Sequence, residues 1–341
     1  MKITYIYHSG FLVESADAYY IFDYYRADFP VTDADKPVYV FVSHRHPDHY
    51  NPYVFEILRE KKVRRMTGII SYDIKPRNYT SHMEGVEIIA AEPDKEYTLD
   101  NGALVRTLRS TDKGVAYVVT FDDGGVPRSV YHAGDLNDWV WEGEDERVNK
   151  WMTGSYRRYL TAVEGMHFDA VMVPVDSRQG DDMFRGIEYL LEKVKADAVY
   201  PMHYWDKPEV IMQFAGKYPQ YADIIRYTED RMDRYSVIED KNPREIVLLR
   251  GSGCVYKKCT FCDYYSDSGK DEDVNYMINR AALSQVTGKY GNIEIINSGS
   301  VFELDKRTIE LIKKRCAECM IHTIHFEAVS YTHLTLPTNS L

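Results

Sequence analysis

One short stretch constrains the fold more than any other, the pattern His-x-His-x-Asp-His formed by His44, His46, Asp48 and His49. Four side chains that commonly bind metal ions lie within six residues, which packing alone does not explain. An apolar, β-branched run at 38–42 precedes them and predicts a buried strand. The cluster therefore follows the carboxyl end of a strand, where α/β folds carry their chemistry. The alternative is a polar loop of hydrogen-bonded histidines.

Imidazole and carboxylate ligands suit zinc, with manganese or iron as alternatives, and the cluster contains no cysteine for a closed structural zinc site. The motif resembles the metallo-β-lactamase superfamily, and the strands predicted over residues 1–240 agree with that resemblance. The resemblance implies an α/β fold, a four-layer α/β/β/α metallo-β-lactamase sandwich with one or two metals at a sheet edge. It also implies an enzyme, a hydrolase that uses a metal-bound hydroxide.

The resemblance further implies a ligand set, in which Asp112 takes a position where many relatives carry histidine. Asp112 is either the replacement ligand or the cap of a turn. Asp135 matches the Gly-Asp motif, whose carboxylate bridges two metals, and Asp48 would orient the nucleophile or protonate the leaving group. Asp48 and Asp135 are therefore the catalytic candidates. The implied set is two zinc ions, held by His44, His46 and Asp112 at one position, by Asp48, His49 and His203 at the other, and by Asp135 between them.

Further residues are candidates for contacts with the substrate. The segment His8-Ser9-Gly10-Phe11 resembles the opening of the ascorbate-phosphate lactonase-like branch, although a solvated turn histidine has the same pattern. The tryptophans after Asp135 either form an apolar pocket wall or pack against the next helix. Arg178 would bind substrate oxygens or form a surface salt bridge. The candidates are His8, Trp139, Trp141, Arg178 and Tyr204, and the expected substrate is a lactone or other cyclic ester, or else a phosphodiester.

A second domain is predicted at 244–328, after a hydrolase domain at 1–240. Its Cys-x4-Cys-x2-Cys pattern favours a four-iron cluster over a zinc knuckle. The pattern resembles the radical S-adenosylmethionine enzymes, whose commonest spacing has one residue fewer in the first gap. The resemblance implies an incomplete (βα) partial barrel that binds a 4Fe-4S cluster and S-adenosylmethionine. The implied ligands are Cys254, Cys259 and Cys262 for the cluster, and Asn297, Ser298, Gly299 and Ser300 for the cofactor.

Two other functions stay open at this point. In one, radical chemistry is the main activity of a longer parent protein and the hydrolase domain is accessory. In the other, the first domain is a catalytically weak metal-binding module. Residues 329–341 fit no further βα unit and resemble translated sequencing adapter, so we expect a non-native tail there.

The composition of the chain limits the classes of partner that it can bind. The net charge of −11 argues against a general nucleic-acid or anionic-membrane surface, and no apolar run has the length of a membrane span. All five cysteines lie after residue 253, so disulfides do not stabilise the first domain. We therefore expect a cytoplasmic protein that acts on a small molecule. The sequence does not indicate an oligomeric state.

Overall fold

A computed structural model describes residues 1–76, 81–205, 207–227, 234–254, 267–297 and 299–326. The chain divides into two compact units, Met1–Glu229 and Asp230–Leu341. Three of the predicted ligands, Cys259, Cys262 and Ser298, lie outside the described residues, as does the predicted tail. In the described part of the chain, no helix combines the length and apolar character needed to cross a membrane.

The first unit contains two six-stranded sheets, and the first of them begins the chain. Its strands are β1 (Lys2–Tyr7), β2 (Gly10–Glu14), β3 (Tyr19–Phe22), β4 (Val38–Val42), β5 (Met66–Ser71) and β6 (Glu87–Ala91), in that spatial order, with helix α1 (Val54–Glu60) between β4 and β5. β3 to β6 are parallel, as the buried run at 38–42 predicts. Phe55 and Leu58 of α1 are buried in the hydrophobic core beside the sheet, so one face of the helix covers it.

The second sheet has the spatial order β14-β12-β10-β9-β8-β7. The elements are β7 (Glu96–Thr98), β8 (Leu104–Arg109), β9 (Val115–Asp122), β10 (Pro127–His132), α2 (Glu146–Leu160), β11 (His167–Phe168), β12 (Ala170–Pro174), α3 (Arg185–Lys193), β13 (Lys195–Ala196), β14 (Val199–Met202) and α4 (Glu209–Lys217). β11 and β13 pair only with each other. Helix α2 begins at Glu146, because Asp145 caps it by accepting a hydrogen bond from the backbone N–H of Arg147.

The two sheets pack face to face through aromatic side chains. Tyr20 of β3 stacks on Phe121 of β9, with ring centroids 4.7 Å apart. Tyr117 of β9 is fully buried, and its hydroxyl donates to the carbonyl oxygen of Val42 at 2.9 Å. A buried hydroxyl with a partner avoids the cost of desolvation, so tyrosine can fill this interface. The mixed α/β architecture places the core between the sheets and under the helices.

The second unit contains one four-stranded sheet with the order β15-β16-β17-β18. Its elements are β15 (Tyr235–Ile238), β16 (Arg244–Leu249), α5 (Glu272–Ser284), β17 (Asn292–Asn297), α6 (Lys306–Glu318) and β18 (Thr323–Phe326). β16, β17 and β18 are parallel, as βα units require. β15 lies within the range predicted for the first domain, 1–240, but pairs with β16. Near the end of the first unit, Val199 and Ile225 form a single bridge.

Candidate metal centre

The candidate ligands lie on loops that leave one edge of the two sheets. In the first sheet, β1 and β4 run in the same direction, and His8 and the stretch 44–49 follow them. In the second sheet, β8, β10 and β14 share a direction, and Asp112, Asp135 and His203 follow them. Carboxyl ends of strands that run the same way meet at one edge. Residues up to 195 positions apart in the sequence therefore converge there (203 − 8).

One group of possible ligands consists of His8, Asp48, His49 and His203, whose ligand atoms all lie within 4.8 Å of one another. Asp48 Oδ2 is 3.2 Å from His8 Nε2 and 3.8 Å from His203 Nε2. His8 and His203 have φ angles of 59° and 64°, in the left-handed region that costs non-glycine residues free energy. Such backbone conformations are concentrated at functional sites. His8, predicted as a substrate contact, lies in a group of possible metal ligands.

The second group consists of His44, His46, Asp112 and Asp135, again within 4.8 Å. Asp135 lies between the groups, because its Oδ2 is 3.5 Å from His44 Nε2 and its Oδ1 is 3.3 Å from His49 Nε2. Its two oxygens therefore face different histidine sets. Asp112 Oδ2 lies 3.5 Å from His46 Nδ1 at the more exposed side of the group.

Hydrogen bonds behind the histidines fix which ring nitrogen faces the site. Asp23 accepts from His49 Nδ1 at 2.7 Å and from the Ser43 hydroxyl at 2.6 Å. With its proton given to Asp23, the Ser43 oxygen accepts from His44 Nδ1 at 2.9 Å. Asp176 accepts from His203 Nδ1 at 3.0 Å. Nδ1 is thereby occupied in all three rings and Nε2 is left for a ligand, an arrangement typical of metal-binding histidine.

The residues fit metal ions, because buried polar atoms at the centre have no protein hydrogen-bond partner. Each buried polar atom without a partner destabilises the folded state by about 1–3 kcal/mol. Several of them together are a large penalty, because the free energy of unfolding of a protein is only roughly 5–15 kcal/mol. Cations at the two groups would satisfy every one of these atoms. They are Nε2 of His44, His49 and His203, and Oδ1 of Asp135.

Electrostatics at the centre favour bound cations. Burial raises the pKa of Asp135, but the neighbouring imidazoles, led by His49, outweigh burial and lower it to about 2. The pKa of Asp48 is also lowered, because the bond from His8 and the charge of His49 outweigh its burial. Burial lowers the pKa of His49, but Asp135 and Asp23 raise it to about 9. Both carboxyl groups are therefore ionised at neutral pH, as metal ligands must be.

Gly134 allows the loop that carries Asp135 to pass close to the loop that carries His44. Its φ is 51°, and a Cβ at this position would lie 2.5 Å from the Cβ of Ser43. Only glycine provides both the left-handed conformation and the space. The glycine of the Gly-Asp motif therefore has a packing role.

A pocket of about 450 Å³ opens onto the two groups. Trp139, Trp141 and Arg178, three predicted substrate contacts, line it. Arg178 also forms the salt bridge that was its alternative, because its Nε and Nη2 hold Asp176 at 2.9 and 2.5 Å. Tyr204 is buried against Tyr5 and is not among the lining residues. The lining is His46, Asp48, Asp112, Asp135, Trp139, Trp141, Met152, Arg178, His203 and Trp205.

Sequence reasoning missed Asp23, the supporting role of Asp176, and two lining residues, Met152 and Trp205. Asp23 lies 26 residues before His49 and ends an ordinary strand pattern. A local signal existed for Asp176, since an acidic residue directly follows the apolar run at 168–175. No sequence signal existed for Met152 or Trp205, because a methionine in a helix or a tryptophan in a loop is usually a packing residue.

We expect Asp23→Asn to weaken metal binding by about 10- to 100-fold, because the amide no longer accepts from both His49 and Ser43 as an anion. Competition with a chromophoric chelator measures this affinity. Asp169→Asn is the matched control, since Asp169 also accepts from a backbone N–H and a cation, Ser129 and Arg128, but belongs to neither group. An unchanged affinity in Asp23→Asn would show that Asp23 does not support the ligands.

Comparison with known families gives a match over part of the chain. Residues 2–147 match the family described as a β-lactamase superfamily domain. That match spans less than half of the chain. No curated protein matches the chain.

Solved structures are also similar to parts of the chain. A queuine lyase from Clostridium spiroforme, solved with SAM and queuine, is 48% identical over 28% of this chain and 42% of its own length, with a TM-score of 0.28. Igni18, a metallo hydrolase from Ignicoccus hospitalis, is 20% identical over 66% of this chain and 93% of its own length, with a TM-score of 0.44. An isothiocyanate hydrolase from Delia radicum gut bacteria is 15% identical over 68% of this chain and 99% of its own length, with a TM-score of 0.40. The chain thus spans less than half the length of the queuine lyase.

Proposed function

We propose that the first unit is a dinuclear metal-dependent hydrolase with the four-layer sandwich of the metallo-β-lactamase superfamily. The observation that carries this proposal is the set of buried Nε2 atoms, without hydrogen-bond partners, around the carboxylates of Asp48 and Asp135. Two metal ions, zinc by the donor set, would be held by the two groups, with Asp135 shared. Lactones or other cyclic esters are the first substrate class, and phosphodiesters the second.

Metals bound there would supply a water of lowered pKa near neutral pH and would polarise the carbonyl or phosphoryl group. The chain's own residues do the rest. Asp48 is ionised and partly exposed to the pocket, so its carboxylate can accept a hydrogen bond from the attacking water and orient it toward the substrate. His44, His49 and His203 are held by their Nδ1 bonds, so the donor set is preorganised.

The test is turnover of a panel of lactones and phosphodiesters by the full chain after zinc loading. We expect hydrolysis that a chelator removes and that zinc or manganese restores. Hydrolysis that is unchanged after complete metal removal would contradict the proposal. Absence of turnover across both panels in protein that holds two metal equivalents would contradict the substrate classes.

Asp112→Ala tests whether the more exposed group is a complete metal position. We expect loss of one metal equivalent and at least about a tenfold fall in kcat, since the first position would keep only His44, His46 and Asp135. Metal analysis by mass spectrometry and steady-state kinetics measure both. Full activity with two equivalents would remove Asp112 from the ligand set and leave it as a turn residue.

For the second unit we propose radical chemistry with a 4Fe-4S cluster and S-adenosylmethionine, carried out by a longer parent protein in which this unit would be complete. Cys254 follows the carboxyl end of β16, and Asn297 ends the parallel strand β17 beside it. The loops after these strands touch, because a Cβ on Gly299 would lie 3.2 Å from the Cα of Cys254. Iron–sulfur absorbance in the anaerobically reconstituted parent, lost in Cys254→Ala, would support the proposal. Its absence would contradict it.

A further inference from the structure

The pocket wall consists of aromatic faces that metal binding does not require. The rings of Trp139 and Trp141 are parallel, with 1° between their planes and 5.8 Å between their centroids. Trp205 lies 4.3 Å from the ring of His8 and keeps 36% of its surface exposed. Met152 of α2 lies in the same wall. Three of the four tryptophans in the chain thus line one pocket beside the candidate metal centre.

The paired tryptophans are held firmly, although residues 137–141 form neither helix nor strand. The side-chain amide of Asn149 accepts from the backbone N–H of Trp141 at 3.1 Å and donates to its carbonyl oxygen at 3.0 Å. The indole N–H of Trp139 donates to the carbonyl oxygen of Asp135 at 2.9 Å. These bonds fix the segment before a ligand arrives, which lowers the entropic cost of binding.

Arg178 decides which kind of group the indole faces can accept. Its guanidinium carbon lies 5.8 Å from the ring of Trp141 and 5.1 Å from that of Trp205, so a cation already occupies the space beside both. A quaternary ammonium ligand would meet like charge there. A flat ring that is neutral or anionic would not, and it could offer an oxygen to Nη1, the guanidinium nitrogen that does not bind Asp176.

We propose that the substrate carries a flat heteroaromatic ring with a carbonyl or anionic oxygen, and that this ring packs in the pocket against the aromatic wall that includes Trp141 and Trp205 and against the guanidinium plane of Arg178, beside the metal centre. The pocket volume of about 450 Å³ lies within the range of roughly 300–1,000 Å³ found for small-molecule sites. Stacking of a base on an aromatic side chain contributes about 1–3 kcal/mol. The identity of the bond that is cleaved rests on the proposed hydrolase function, whereas the binding of the ring does not.

The binding test uses tryptophan fluorescence of the full chain in a Trp151→Phe background. Trp151 is 56% exposed on α2 and is not among the lining residues, so its removal leaves only pocket tryptophans to report. We expect caffeine, a flat neutral ring with carbonyl oxygens, to quench this fluorescence with saturation. Adding Trp141→Leu should weaken caffeine binding about tenfold, and Trp205→Leu should do the same. Trp205→Leu covers the case in which Trp141→Leu does not fold.

Two comparison ligands can overturn the inference. N-methylpyrrolidone has a carbonyl but no aromatic ring, and tetramethylammonium is a cation. Binding of either as tightly as caffeine would contradict a ring-stacking site, as would caffeine binding that neither tryptophan substitution weakens. Binding of caffeine alone, reduced by both substitutions, is the result that the proposal predicts.

A kinetic test separates this inference from the proposed function. Benzyl acetate and cyclohexylmethyl acetate release similar alcohols, so their intrinsic reactivity is matched. We expect kcat/KM for the benzyl ester to be about tenfold higher, and Trp141→Leu to abolish that preference while Trp151→Phe retains it. Hydrolysis of both esters at equal rates would contradict the inference but leave the hydrolase. Caffeine binding without hydrolysis of any ester or phosphodiester by the metal-loaded protein would contradict the proposed substrate classes but leave the ring site.

Discussion

Asp135→Asn is expected to lower kcat/KM by on the order of 10³-fold or more, because Asp135 is the only carboxylate placed between both histidine sets in the described part of the chain. The amide keeps the shape of the side chain but loses the charge that holds two cations close together. Its Oδ1 would also face His49 and His203 without attracting their cation. Steady-state hydrolysis and metal content, measured on the same preparation, check this expectation.

The control for Asp135→Asn is again Asp169→Asn, which removes one carboxylate charge from the same unit without touching either group. We expect this variant to keep two metal equivalents and full activity. A fall in activity of less than about tenfold in Asp135→Asn, with both metals retained, would mean that the carboxylate does not bridge.

Gly114→Ala is expected to destabilise the first unit by about 3 kcal/mol or more. The φ of Gly114 is +67°, and its Cβ would lie 1.9 Å from the carbonyl oxygen of Ser43 and 2.7 Å from the Cβ of His44. The carbonyl of Ser43 also accepts from the backbone N–H of Val115 at 2.9 Å, so the clash falls on a structural bond. Left-handed strain and overpacking each cost about 1–3 kcal/mol, and here they add at one position.

Urea unfolding followed by tryptophan fluorescence measures this effect in the first unit alone, because all four tryptophans lie within Met1–Glu229. Gly154→Ala is the matched control. Gly154 lies within α2 and a Cβ there meets nothing within 4 Å, so we expect stabilisation by about 1 kcal/mol. Equal stability of Gly114→Ala and the unsubstituted chain would contradict the close packing of the two loops.

The candidate centre was predicted partly from a local pattern, the cluster at 44–49, and partly from the family resemblance, which implied Asp112, Asp135 and His203. His44 to His49 share one loop after an apolar strand, and His203 also follows an apolar strand. Strand polarity explains why these loops meet at one edge of the sheets. Asp23 could not be found in this way, because its contact with His49 depends on the parallel pairing of β3 with β4.

The directions of the side chains after β14 also could not be predicted from the sequence. A strand alternates its side chains between two faces, but His203 and Trp205 have φ angles of 64° and 55°. Those angles break the alternation, so Trp205 reaches the pocket while Tyr204 is buried on Tyr5. β15 was misassigned for a different reason, since a four-residue strand has no signal for which sheet it joins.

The most direct test of the dinuclear centre is a crystal structure of the zinc-loaded full chain, with anomalous scattering measured on both sides of the zinc edge. The account predicts two zinc peaks, one contacted by His8 or His203 with Asp48 and His49, the other by His44 and His46. Asp135 should contact both. A single peak, or no peak among these side chains while zinc is bound elsewhere, would contradict the central claim.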